Sequence, residues 1–223
     1  MRKLTKVITV AAISVMVFSM AACGKSEGTG SGNSVLSSTQ DTTKDSTQNA
    51  GESKTEATTQ TANNAEAPTL AIPATGTTYQ GTGYTLTAPA DWAQGQASGT
   101  DIVLYDTKGA VNTTFVANLN VTIEDVSAYG TSFTADSYLL AAKTQFQKSP
   151  DTYTIISDGR YNVNGYNATS LICQVKQGTA TYYCKQIYVV AKGNAYVITY
   201  ASATQAGLDD AEAASVMASF KVN

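Results

Sequence analysis

No aromatic residue lies between Phe18 and Tyr79, and this gap limits where the chain can build a core. Residues 24–76 are mostly Ser, Thr, Gly, Asn, Gln and Ala with scattered charges. Such a stretch buries too little apolar surface to offset its ordering entropy, so it is expected to be a disordered tether. As a flexible coil its ends would lie about 40 Å apart. All 13 tyrosines, Trp92 and four of the five phenylalanines follow it. Residues 77–223 are therefore expected to form one globular domain. A domain of that length buries about 68–70% of its unfolded surface.

The first residues obey a third set of rules. Arg2, Lys3 and Lys6 precede the weakly polar run VITVAAISVMVFSMAA at residues 7–22. A basic start, an apolar run shorter than the roughly 20 residues of a spanning helix, and small residues at its end describe a secretory signal peptide over residues 1–22. Residues 20–23 read Met-Ala-Ala-Cys and resemble the bacterial lipobox, with Met20 in place of the more usual Leu. The resemblance implies cleavage between Ala22 and Cys23. It also implies a diacylglycerol thioether on the Cys23 thiol and a second acylation, such as palmitate, on the freed amine. Two or more chains, at about 0.8 kcal/mol per buried CH₂, anchor stably where one does not. The chain is thus expected at the extracytoplasmic face of a cell membrane, with membrane lipid as its first partner through Cys23 and residues 23–76 as its lipidated tether.

Charge and residue types narrow the chemistry. Without residues 1–22 the chain has 11 basic and 17 acidic residues, a net charge of −6. Such a balance lacks the basic patch that phosphate contacts require, so nucleic acid is not an expected partner. Histidine is absent throughout. Its absence removes the commonest general base and metal ligand and the usual activator of Ser or Cys nucleophiles. The adjacent acids Glu124-Asp125 point to opposite sides of a strand, and Asp209 reads as a helix cap. No catalytic residue, metal site or cofactor is assigned, and Arg160, the one arginine beyond the signal, is too solitary to define an anion site.

Cys173 and Cys184 lie on two segments joined by a turn at Gly178-Thr179, which sets them opposite each other. They are a candidate disulfide at a hydrogen-bonded position, with Cα atoms about 5.5 Å apart. The alternative is two reduced, half-buried thiols. Tyr182, Tyr183, Tyr188, Tyr196 and Tyr200 cluster nearby. They suit either a sugar- or peptide-binding surface or ordinary cross-strand packing.

Alternation and turn chemistry predict strands at 83–89, 101–106 and 115–125, then a helix, four further strands and a second helix. Thr134 is the expected N-cap of the first helix, whose face is Ala135, Tyr138, Leu139, Ala142 and Phe146. Lys143 and Lys148 suit its C-terminal end and Pro150 stops it. Asp209 and Glu212 are expected to form a capping box before the stripe Ala213, Val216, Met217 and Phe220. Asp158-Gly159, Asn164-Gly165, Gly178-Thr179 and Gly193-Asn194 are expected turns. Trp92 is expected to plug one end of the core. The result is an α+β domain, an antiparallel sheet with flanking helices.

GYTLTAPADW at 83–92, GNAYVITYAS at 193–202 and the closing Ser219-Phe220 together resemble PsbP-like and DcrB-like domains. The resemblance implies an α/β/α sandwich and a binding or scaffolding role, and it transfers no functional residue. The expected function is a non-catalytic envelope lipoprotein that binds or supports an envelope protein or glycan. The alternatives are an enzyme with a carboxylate or Ser-Lys site and a small solute-binding lipoprotein.

Overall fold

The computed structural model describes residues 75–108 and 115–223. Among these residues the chain forms two antiparallel sheets and two α-helices. The large sheet holds β3 (Trp92–Gly95), β4 (Ile102–Asp106), β5 (Asn118–Asp125), β9 (Asn194–Ser202), β8 (Ala180–Ala191), β7 (Tyr166–Gln177) and β6 (Tyr153–Val163), in that spatial order. The small sheet places β2 (Tyr84–Ala88) between β1 (Thr77–Gly81) and β10 (Lys221–Val222).

Alternation along the strands divides the large sheet into two apolar faces. On one face, Leu119, Val121, Ile187, Val189, Tyr196 and Ile198 pack with Tyr84 and Leu86 of the small sheet. Ala213, Val216 and Met217 of α2 (Ala211–Ala218) join the same core. Phe220 closes this layer, with its ring 5.0 Å from that of Tyr84 and 5.3 Å from that of Tyr196. Such ring pairs add about 0.5–1.5 kcal/mol beyond area burial. The opposite face carries α1 (Ala135–Gln147), whose Tyr138, Ala142 and Phe146 cover Leu171, Cys173, Cys184 and Tyr188. The expected α+β sandwich is present, with one outer layer shared between α2 and the small sheet.

Local signals account for several boundaries. Thr134 caps α1 by accepting from the Ser137 N–H at 3.3 Å, and the Ser137 hydroxyl in turn accepts from the Thr134 N–H. Asn164 (φ 48°) and Gly165 (φ 83°) form the tight turn between β6 and β7, where two left-handed residues match the twist of the strands. Trp92 is buried against Tyr200, 6.4 Å between ring centroids. Gln177 pairs with Ala180, so the β7–β8 turn is Gly178-Thr179.

Four expectations are corrected. Asp158-Gly159 is not a turn; Asp158 pairs with Leu171 and Gly159 with Ser170 within one continuous β6, and the irregularity is a bulge between Ile155 and Ser157. Gly159 is not among the left-handed glycines, so the conformation that favours glycine in a turn is not used there. The last hairpin turns one residue early, at Lys192 (φ 51°) and Gly193 (φ 78°), with Ala191 paired to Asn194. Asp210, not Asp209, caps α2, its carboxylate accepting from the Ala213 N–H at 2.8 Å. Asp209 ends a preceding 3-10 turn, Ala206–Asp209, and Glu212 reaches out to Lys108 instead of back to a cap. Lys143 binds Asp158 on β6 rather than the carbonyls at the end of its own helix.

Candidate functional site

Cys23 and Ala22 lie outside the described residues. No helix among the described residues is long and apolar enough to cross a membrane. Also among them, no three His, Cys, Asp or Glu side chains gather as a metal ion would require.

The register places Cys173 directly opposite Cys184, and both are free thiols with no exposure. Burial, and then contact with Cys173, pushes the Cys184 thiol well above its ordinary pKa. An unreactive, protonated thiol is the chemical consequence.

The tyrosine cluster divides. Tyr182, Tyr188, Tyr196 and Tyr200 are core residues on both faces of the sheet, so they offer no exposed platform. Tyr183 is half-buried and its hydroxyl accepts from Gln174 Nε2 at 3.0 Å. Burial pushes the Tyr182, Tyr188 and Tyr200 phenols up, and nearby carboxylates or cysteines add to the shift. The adjacent acids also separate. Asp125 accepts from the Ser127 N–H at 2.9 Å, and its bonds to Ser127 lower its pKa. Glu212 is lowered chiefly by its hydrogen bond from Lys108, which also binds Asp91 at 2.8 Å on the surface.

The structure assembles a cleft of about 550 Å³ at the start of α1. Half-buried Phe133, Tyr161 and Tyr166 line it together with Asp136, Arg160 and Asn167. Thr169 on β7 donates its buried hydroxyl to the Ala135 carbonyl at 3.0 Å and so pins the first turn of α1 to the sheet. That contact sets Asp136 above β6, where its carboxylate accepts from Arg160 Nε at 3.2 Å and from a terminal guanidinium nitrogen at 3.1 Å. A smaller cleft of about 370 Å³ shares Thr131, Phe133 and Val190 with the first and continues past Gly193. The Phe133 ring, the guanidinium–carboxylate pair and the Asn167 amide can stack on and hydrogen-bond a polar ligand, while the Tyr161 and Tyr166 rings pack against the core on the opposite face of the sheet.

Sequence reasoning assigned Arg160 to no site, and it did not single out Phe133, Tyr161 or Tyr166. They come from three separate segments, and no local pattern unites them. Lys185 was also missed. It is a buried lysine on β8 whose ammonium lies 5.3 Å from the centre of the Tyr161 ring, a cation–π contact behind the cleft wall.

No known protein family and no curated protein matches the chain. Solved structures are similar in chain path. Cyanobacterial PsbP (CyanoP) from Synechocystis aligns at 20% identity over 66% of this chain and 92% of its own, with a TM-score of 0.48. LpqN, involved in cell envelope biogenesis of Mycobacterium tuberculosis, aligns at 15% identity over 63% of this chain and 83% of its own, with a TM-score of 0.44.

Proposed function

We propose that this chain is a lipoprotein of the cell envelope, anchored through acylated Cys23, whose domain binds an envelope protein or glycan without transforming it. The cleft at the start of α1 is the binding site. The observation that carries the reading is the cleft's make-up, the Phe133 ring and the Asn167 amide beside the Asp136–Arg160 pair. This is a recognition surface in its chemistry, because a stacking face and fixed donors orient a ligand. The signal-like start, the Met-Ala-Ala-Cys motif and the aromatic-free tether support presentation of that cleft away from the membrane.

The test has two arms. Labelled fatty acid should enter the wild-type chain and not Cys23→Ala; equal labelling would remove the anchor. A photo-crosslinking residue in place of Asn167 should capture a discrete partner in cells, and Phe133→Ala with Arg160→Ala should abolish that capture. Capture unchanged by the double variant would remove the cleft from the proposal. Turnover of any substrate by the purified chain would replace binding with catalysis.

A further inference from the structure

Strand β6 forms an open edge of the large sheet, and no strand pairs with its outer side among the described residues. Eleven residues with a free backbone edge form a ready template for another strand. The direction of that backbone follows from the register. Val163 and Tyr166 close the two-residue turn and form a hydrogen-bonded pair, and hydrogen-bonded and non-hydrogen-bonded pairs alternate from there. Asp158, Arg160 and Asn162 therefore turn their N–H and C=O groups outward, and Gly159 and Tyr161 turn theirs toward β7.

The side chains on this edge are arranged about one residue. Asp158 and Arg160 flank Gly159, stand on the α1 side of the sheet and are exposed. Suppose a second β6 docks antiparallel about a twofold axis through Gly159. Asp158 of each copy then faces Arg160 of the other, and the outward backbone groups of these residues meet as a hydrogen-bonded pair. A two-residue slip in either direction sets Asp158 against Asp158 or Arg160 against Arg160, and like charges directly opposite each other are destabilising. A one-residue slip misaligns the outward backbone groups. Among these registers, the one centred on Gly159 pairs opposite charges and also aligns the outward backbone groups.

Two other features border the same edge. Asp136, Leu140 and Lys143 follow the i, i+4, i+7 spacing of one helix face, and Asp136 and Lys143 both bind β6. Leu140 is thus held on the edge side of α1, and it is 68% exposed. Ile156, in the bulge beside the edge, is 38% exposed. These are the exposed large hydrophobic side chains among the described residues, and both lie where a second copy would cover them.

We propose that the β6 edge is a self-association surface that pairs two copies of this chain into one continuous antiparallel sheet, centred on Gly159 and selected by reciprocal Asp158–Arg160 contacts. Edge charges commonly guard a strand against pairing. Here the opposite signs two residues apart make the edge complementary to itself, as an isologous interface requires.

The test is sedimentation of the full chain in density-matched detergent, with circular dichroism to confirm folding. Wild type should show a concentration-dependent dimer. Asp158→Arg alone and Arg160→Asp alone should each weaken it at least tenfold. An equimolar mixture of these two variants should form a heterodimer, and the chain carrying both reversals should dimerise more tightly than either single reversal, although it also reverses the pairs with Lys143 and Asp136. A wild-type chain that stays monomeric at every concentration overturns the proposal. So does a dimer that neither reversal weakens, or a mixture that fails to associate.

Discussion

Cys173 and Cys184 face each other across the β7–β8 ladder, fully buried beneath α1 with both thiols free. In the Cys23→Ala chain a maleimide should therefore find no reactive cysteine under native conditions and two in denaturant. Rapid native labelling of either buried thiol would contradict the packing. Where an oxidant reaches the pair, the register permits an intrachain bridge, read as the loss of two hydrogens from the intact mass. Such a short closed loop would add about 2–3 kcal/mol of stability.

Five phenols are held protonated by the fold. Burial pushes Tyr84, Tyr138, Tyr182, Tyr188 and Tyr200 above the ordinary value of 10.0, with nearby carboxylates, cysteines or other tyrosines adding to it. Their folded pKa values exceed the unfolded one, so their contribution is complete below pH 10 and is lost as pH rises beyond it. Each buried phenol costs about 1.4 kcal/mol per pH unit in that range. Denaturant midpoints should stay flat with respect to these groups up to about pH 9.5 and fall steeply above 10. Tyrosinate absorbance should appear together with unfolding rather than ahead of it.

Ser219 fastens the end of α2 to the middle of the small sheet. Its hydroxyl oxygen accepts from the Thr87 N–H at 2.8 Å and lies 3.0 Å from the Thr87 carbonyl and 2.7 Å from that of Val216, to either of which it can donate. Ser219→Ala strands the Thr87 amide and should cost about 1–3 kcal/mol. Chemical denaturation measures it directly; a loss below about 0.5 kcal/mol would mean that water replaces the hydroxyl.

Asn164 does two jobs in one position. It holds φ at 48° in the turn, and its Nδ2 donates to the carbonyls of Ala218 at 3.0 Å and Phe220 at 2.8 Å. Asn164→Ala loses the bonds and strains the turn, so about 2–4 kcal/mol is expected. Asn164→Gly relieves the strain and should recover roughly 1 kcal/mol of that. Equal losses for the two variants would assign the whole effect to the side-chain bonds.

Features that a few neighbouring residues decide were legible in advance. The Thr134 cap, the Asn164-Gly165 turn and the Cys173–Cys184 register each depend on local chemistry and counting. Asp158-Gly159 shows the limit of that reasoning. The dipeptide has turn chemistry, yet β7 offers Leu171 and Ser170 as partners and the strand runs on. The strands at Thr77–Gly81, Trp92–Gly95 and Lys221–Val222 were not expected from the sequence. Their pairing partners, not their patterns, make them strands.

By itself the sequence determined that the aromatic residues of the core lie beyond residue 76, that the domain alternates like an antiparallel sheet with two helices, and that its cysteine pair is in register. Periodicity, aromatic content and turn residues are properties of adjacent positions. Only the tertiary structure decided which tyrosines are core, which aromatics line the cleft, and that β6 presents a free edge. Those outcomes depend on contacts between distant segments, as when Thr169 pins Ala135 and so places Asp136 over Arg160.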